Sequence, residues 1–578
     1  MKKVYLFLIL WLFASIADLS AQTYEWQWAA TSVQPDNAGS DAHITAIATD
    51  AQGNIYAAGQ FSADSVSFGS YTLYNTDPTE NSNDIFLVKY DPAGGVLWAT
   101  SAHGAANEGL NAVTTDNLGN VYVVGYFYSD SVLFGSHTLY NYGPTDTTDD
   151  IFIAKYSTAG AALWAESFGG DYYDGAQGVA TDASGNVYLG GFFRSDSIAF
   201  GSHILHDETG LQYDNAFLAK CNSSGTLLWV VSSATLDNTI EVLGVSTDPS
   251  GNVFTTGRFT GSMAGFGNQT IHNQQVGYDD IFLAKYDSLG NALWAEDAGG
   301  SYDDIAYAVA TDAQGNSYIT GYMNSGTASF GAVQLENDTT DETGDIFIAK
   351  YSPGGNMLWA ENFGGDTYDV GWALTTDMAG NVYVAGYYYS PQIIFGADTI
   401  SNYDNTGATN DAFVAKFDQN GNPLLAIDAG GDYYDAGLGI ATDQSENIYV
   451  GGFFRSDDIV FGTTTLVNNT SVNNSNPFLA LYQNISAGIN TPVQLPSLSL
   501  YPNPANDRIV AQSPSFTSSK VSAAVYDVAG HVVPLDQSAS ADRITFNTSA
   551  LAAGMYIIKF TIDGEETRAK FVKPAAGQ

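Results

Sequence analysis

A single cysteine, Cys221, stands in a chain of 578 residues, so neither an intramolecular disulfide framework nor a Cys-based zinc cluster can be built. Positive charge is also scarce: 18 Lys and Arg face 62 Asp and Glu, a formal net charge of −44. Nucleic-acid phosphates and anionic lipid surfaces both require clustered cations, so neither is an expected partner. Apolar runs are short: the longest, Val4 to Ala17, falls below the roughly 20 residues that span a bilayer, and no transmembrane segment is expected. No repeat unit holds a 3.6-residue hydrophobic period, which argues against a helical solenoid. No Ser-His-Asp arrangement or phosphate-cradling glycine loop is identifiable. What is plentiful is Gly (60), Tyr (36) and Phe (31), with only 14% charged residues, the composition of a folded chain with an acidic surface.

The N-terminus reads as a secretory signal over residues 1–21. Lys2 and Lys3 precede the apolar run, and Leu19-Ser20-Ala21 offers a small-residue cleavage site.

One turn motif, Thr-Asp-x-x-Gly-Asn-x-Tyr, then recurs with its Asp at 50, 116, 182, 248, 312, 377 and 443. Phe254 replaces the Tyr in the fourth copy and Glu446 replaces the Gly in the seventh. The steps are 66, 66, 66, 64, 65 and 66 residues, and a fixed period marks a repeat fold. Each unit holds four short strand-like runs bounded by Gly, Asn, Asp and Ser. Seven units of four antiparallel strands predict an all-β, seven-bladed propeller over residues 22–483, followed by a linker at 484–496. A Leu-Trp-Ala type strand ends six units, and the seventh lacks one; Trp26-Gln27-Trp28-Ala29 is predicted to supply it, beside Phe478.

The second-to-third links are long, so one face carries the candidate binding surface. Acids recur before the inner strands at Asp41, Glu108, Asp174, Glu241, Asp304, Asp369 and Asp435, with Asp41 and Glu241 offset by one residue. Two readings stand side by side. Clustered carboxylates want a cation or a proton, and an oxygen-only set suits Ca²⁺; alternatively, each acid braces the N–H groups of its own loop. Aromatics crowd the same links, and Tyr128, Arg194, Tyr389 and Arg455 align as the exposed candidates for a glycan or protein ligand. Cys221 aligns with Tyr90, Tyr156 and Phe417 and reads as a core residue.

The repeats resemble the bacterial propeller family of SBBP repeats, through Thr-Asp-x-x-Gly-Asn-Val-Tyr, Asp-Ile-Phe-Ile-Ala-Lys-Tyr (150–156) and Gly-Gly-Asp-Tyr-Tyr-Asp (169–174). Residues 497–574 read as a small Ig-like β-sandwich. They resemble the type A C-terminal sorting domain of the Bacteroidetes type IX secretion system, through Tyr501-Pro502-Asn503-Pro504-Ala505, Gly554-Met555-Tyr556 and Lys570-Phe571-Val572-Lys573. The resemblance implies export across the outer membrane by the type IX machinery, removal of the domain by a surface sortase, and release or surface attachment. Asp64-Ser65-Val66, Asp130-Ser131-Val132 and Asp196-Ser197-Ile198 resemble the O-glycosylation signal of Bacteroidetes, although a shared loop shape explains them too. The leading expectation is a secreted or surface-displayed propeller that binds and does not catalyse. The alternatives are a glycan-active enzyme using acids on the long-link face, and a purely structural surface component. Ca²⁺ is the one cofactor under consideration.

Overall fold

A computed structural model describes residues 22–574 apart from 36–40, 77–81, 144–147, 208–209, 236–237, 338–342, 469, 471–473, 487–498, 514–515, 517–520, 527–531, 541 and 563–564. The expected signal segment and most of the expected linker lie outside the described residues. Two compact units emerge, Tyr24–Asn484 and the C-terminal sandwich, each described by itself.

The larger unit contains seven antiparallel sheets, each with a four-stranded blade, three of them extended to six strands by an added hairpin of the next blade. Their inner strands are Ala42–Thr49, Glu108–Thr115, Asp174–Thr181, Ile240–Thr247, Asp304–Thr311, Asp369–Thr376 and Asp435–Thr442. Each inner strand neighbours the next and the last neighbours the first, so the blades close into a propeller. In blade 7 the strand Asn476–Ser486 is flanked on its outer side by Gln22–Thr31, the N-terminal strand. Trp26 packs edge-on against Phe461 and Tyr482, each at 4.9 Å, and Thr31 Oγ1 donates to the Pro477 carbonyl at 2.7 Å. The blade therefore joins both ends of the propeller chain and leaves the outer edge of its third strand paired.

The turn motif acts at several levels. Asp116 Oδ1 accepts the N–H groups of Leu118 and Asn120, both at 2.9 Å, which closes the turn. Gly119 supplies the positive φ of +76° that the turn needs. In blade 7, Glu446 adopts φ +60° at that place. The motif's Thr makes a second device. Thr115 Oγ1 donates to the Thr49 carbonyl, Thr181 to Thr115, and so on round the channel until Thr49 donates to Thr442. Seven hydroxyls thus hoop the ring.

Between blades, the motif's Asp and Tyr meet a lysine from the third strand. Lys155 Nζ lies 3.4 Å from Asp116 Oδ2 and 4.7 Å above the Tyr122 ring, and it donates to the Ser223 carbonyl of the next blade at 3.0 Å. Trp164 Nε1 donates to the same carbonyl at 3.2 Å. The indole lies flat on that turn: a Cβ on Gly225 would come within 3.0 Å of Trp164, so glycine is required there. Equivalent lysines at 89, 220, 285, 350 and 416 pair with the preceding turn Asp. The turn acids are therefore also half of a buried ion pair within each blade, and its lysine carries the contact on to the next blade.

The smaller unit is a sandwich of two four-stranded sheets. Ile509, Phe546, Ile558, Phe560 and Phe571 form its core.

Candidate functional site

The tight turns gather on one face and the long links on the other. Those links carry added hairpins such as Ser65–Phe68 with Tyr71–Tyr74. Asp64-Ser65-Val66 and its two counterparts open such hairpins.

At each blade the pairing of inner and second strands slips by one residue. The extra residues are Thr45, Asn111, Gln177, Leu243, Tyr307, Trp372 and Leu438, and all seven line one central cavity of about 320 Å³. A bulge re-aims its side chain, here into the channel. The position after each bulge residue is small because blades converge: a Cβ on Gly178 would lie 2.9 Å from the Val245 backbone nitrogen. The bulge residues are free to differ, and they do. Thr45, Asn111 and Gln177 form a polar arc, whereas Leu243, Tyr307, Trp372 and Leu438 form an apolar one. Tyr307 and Trp372 stack at 4.5 Å with planes 26° apart. Tyr322, Tyr368 and Tyr387 extend this cluster outward. The sequence offers one partial signal for this ring: a variable position that directly precedes a small residue in each of the seven units.

The acids lie elsewhere. Glu108, Asp174, Asp304, Asp369 and Asp435 open their inner strands and are fully buried between blades. Each is held by a serine at the end of the second strand. Asp174 accepts Ser195 Oγ at 2.9 Å and the N–H groups of Arg194 and Ser195 at 3.1 and 3.3 Å. Ser129, Ser325, Ser390 and Ser456 do the same for the other four.

Asp41 and Glu241 do not complete a ring of seven. The equivalent positions are Ala42 and Ile240, because a one-residue offset turns a strand side chain to the other face. Asp41 Oδ1 accepts the Ser475 N–H at 2.6 Å, and Glu241 pairs with Arg258 at 2.9 Å. Among the described residues, no group of three or more His, Cys, Asp or Glu is arranged to hold a metal. The donors around the five acids are N–H and O–H groups, the surroundings of an anchored carboxyl. A Ca²⁺ ion at these places would have to displace them.

The four aromatic and arginine candidates fall into two pairs. Tyr128 meets Tyr173 edge-on at 6.4 Å, and Arg194 sits 5.8 Å over the same ring while gripping Asp214 at 2.7 and 2.8 Å. Tyr389 meets Tyr434 at 6.3 Å, and the Arg455 N–H donates to the Tyr434 carbonyl at 2.9 Å. Arg455 also approaches Asp41 to 3.9 Å. The residues before Tyr128, Arg194, Tyr389 and Arg455 are buried core. Cys221 is fully buried, and burial pushes its thiol up to about 12.

In the sandwich, the resemblance-derived sorting residues converge. Asn503 receives the Val572 N–H at 3.0 Å and donates to the Lys570 carbonyl at 3.1 Å. Tyr501, Pro502 and Pro504 lie on the same segment, and Ala505 donates to the Val572 carbonyl at 2.8 Å. Gly554 pairs with Lys573, and Tyr556 stacks on Phe571 at 5.5 Å. Lys573 Nζ donates to the Asn506 carbonyl. The first segment and the last strand thus form one connected edge.

The fold is a repeat propeller carrying a terminal β-sandwich. Residues 499–574 match the family described as the secretion system C-terminal sorting domain, which marks the chain for type IX export to the cell surface or extracellular space. The chain is 25% identical over 490 residues to an uncharacterized WD repeat-containing protein of Acanthamoeba polyphaga mimivirus, covering 72% of this chain and 35% of that protein. It is 25% identical over 193 residues to the regulatory protein FlaEY of Caulobacter vibrioides, covering 31% of this chain and 20% of that one. The chain thus spans about a third and a fifth of the length of these relatives. Among solved structures, the WD40 domain of Neurospora crassa Pan2 is similar at 7% identity and a TM-score of 0.39, over 79% of this chain and 97% of that domain. A Dyadobacter fermentans protein of unknown function is similar at 11% identity and a TM-score of 0.34, over 80% and 99%. No helix among the described residues is long and apolar enough to cross a membrane.

Proposed function

We propose that this chain is an exported binding propeller without catalytic activity, whose ligand is a glycan seated at the long-link mouth of the channel. The sorting domain delivers it through the type IX machinery, and a surface sortase then removes that domain and leaves the propeller released or attached. The observation that carries the ligand reading is the uneven bulge ring. Seven equivalent positions hold a polar arc opposite a stacked Tyr307–Trp372 pair, around a cavity of about 320 Å³. Apolar stacking faces opposite amide and hydroxyl groups suit a sugar ring, and the volume lies at the small end of ligand pockets. The acids weigh against the enzyme reading. Those that open the inner strands are buried and bonded to serine, so they present no exposed carboxylate pair across the channel.

The test is a glycan array probed with the secreted chain, with calcium and with chelator, repeated with Trp372→Ala. Binding that is lost in Trp372→Ala and indifferent to chelator supports the reading. Binding that survives the substitution moves the site out of the channel. Silence on the array favours a protein ligand or a structural role.

A further inference from the structure

Five of the seven blade interfaces contain not one buried carboxyl but two. Where an inner strand opens on one of the five serine-held acids, the third strand of the preceding blade opens on an aspartate: Asp84, Asp150, Asp280, Asp345 or Asp411. All five are at most 1% exposed. A backbone hydrogen bond joins the two strands at this point, as from the Asp174 N–H to the Asp149 carbonyl at 3.0 Å. The other two interfaces change in concert. Ala42 and Ile240 replace the acid, Asn476 and Asn215 replace the aspartate, and Ala63 and Gly261 stand where the serine would be. Three positions that are distant in sequence vary together, so they work as one unit.

The donors around one pair define its charge state. Asp174 accepts two N–H groups and one hydroxyl, the setting of an ionised carboxylate. Asp150 accepts the Tyr142 N–H at Oδ2 and faces the Gly170 N–H, while its buried Oδ1 makes no well-aligned hydrogen bond among the described residues. A Cβ on Gly169 would fall 1.9 Å from that oxygen, so the glycine backbone wraps the carboxyl and leaves no room for a hydrated ion. The same under-satisfied oxygen recurs on Asp84, Asp280 and Asp411. Two carboxyls buried at one interface, one of them with an under-satisfied oxygen, are short of a donor that a proton would supply, and in one pair the Asp84 and Glu108 side chains are themselves in hydrogen-bond contact.

We propose that each of these five interfaces is held by one proton shared between its two carboxyls, so that the ring takes up protons as it folds and its blade contacts weaken in alkali. The charged group facing the Asp150–Asp174 pair is Asp149, and the Arg194 guanidinium beside Asp149 is committed to Asp214. Elsewhere the facing charges are again acids: Asp297 beside Asp280, and Asp428 and Asp404 beside Asp411. Among the described residues no Lys or Arg forms an ion pair with these acids, and His272 is the basic group beside Asp297. Consistent with this, burial pushes Asp150 up to about 8 and Asp174 to about 7, with their mutual repulsion adding to the rise in Asp150. The Asp84–Glu108 pair is raised in the same way, to about 7 and about 8. Carboxyls raised in the folded state and ordinary when unfolded give stability that is complete below about pH 4 and falls as pH rises through 7 to 8.

The test uses the secreted full chain and is independent of any ligand. Infrared spectra in deuterated buffer should show a protonated-carboxyl carbonyl band at neutral pH that disappears at alkaline pH. The thermal midpoint should fall steadily between pH 5 and 9. Asp150→Asn and Asp280→Asn place an amide that donates permanently, and the double variant should lose about two-fifths of that slope. Absence of the acid band at pH 7, or a flat midpoint from pH 5 to 9, overturns the proposal on the wild type alone. A midpoint raised by millimolar calcium and lowered by chelator, with no acid band, would show that a cation occupies these places instead.

Discussion

Replacing Lys155 with Met tests the account of what holds neighbouring blades together. The ammonium is 3.4 Å from Asp116 Oδ2, and the two side chains are only 7% and 3% exposed. Methionine keeps most of the aliphatic stem but leaves Asp116 charged and buried. Breaking one side of a buried pair costs about 3–5 kcal/mol. Asp116 retains the N–H groups of Leu118 and Asn120, the Asn120 amide and the Tyr122 hydroxyl, which favours the lower end, about 3 kcal/mol. Unfolding entropy is about 2.1 cal/mol/K per residue, or about 1 kcal/mol/K if the propeller unit Tyr24–Asn484 melts as one body. The midpoint then falls by about 3 °C. If blades 2 and 3 melt as a separate unit of about 130 residues, the same loss lowers their step by about 10 °C, so the shift also reports the size of the cooperative unit. The assay is urea and thermal unfolding of wild type and Lys155→Met at pH 6. Blade 7 provides a native comparison, because Leu481 stands at the lysine position and the turn acid there, Asp443, is only half-buried. A loss below about 1 kcal/mol would refute the claim that this buried lysine, paired within its blade and bonded to the next, supports the blade contact.

Three further outcomes follow from the same contacts. Trp26→Ala removes the ring held between Phe461 and Tyr482 and should cost about 3 kcal/mol, with hydrogen exchange accelerating in Tyr24–Thr31 and the facing strand together; protection unchanged there would count against the closure. At the acid end, burial alone would raise Asp50, Asp116 and Asp182, but asparagine and backbone donors and the adjacent lysines overcome it and hold them below the ordinary value. Their stabilisation is present above about pH 4 and lost as pH falls through the folded values, so the thermal midpoint should drop steeply below pH 4. Cys221 should resist a thiol reagent in the native state at pH 8 and react with one equivalent in denaturant; rapid native labelling would contradict its burial.

The repeat made most of the fold legible. Period, strand count and turn chemistry are local signals, and seven copies average out the ambiguity of any one. What did not emerge were partners supplied by tertiary placement. The turn acid and its lysine, Asp50 and Lys89, belong to different strands of one blade, and nothing local to either names the other. Asp41 and Glu241 were grouped with the acid ring because sequence spacing tolerates a one-residue offset; a strand does not, since each step reverses the face. The bulge ring was hidden for a related reason. An extra residue in a strand looks like ordinary alternation until the pairing is known, so Tyr307 and Trp372 read as two more aromatics in an aromatic-rich chain.

Beyond the blade interfaces that lack the acid pair, two kinds of departure from the seven-fold pattern bear on function. Some belong to the seam. Blade 7 takes its outer strand from the N-terminus, so no turn links its third and outer strands, and no turn carbonyl is available there to blade 6. Leu425 accordingly stands where other blades place the tryptophan that donates to such a carbonyl. Lys416 finds the Tyr24 hydroxyl at 2.8 Å and the Glu446 carboxylate at 3.6 Å instead. Glu446 thus adopts a left-handed φ that glycine would bear without strain, and in that place it can meet a lysine that the seam has deprived of its usual acceptor. The channel residues have no such account. Leu243, Tyr307 and Trp372 lie in blades 4, 5 and 6, away from the N-terminal strand, and the frames around them keep the repeat. Variation that closure does not require, gathered on side chains that point into one cavity, is the pattern expected of the binding site proposed above.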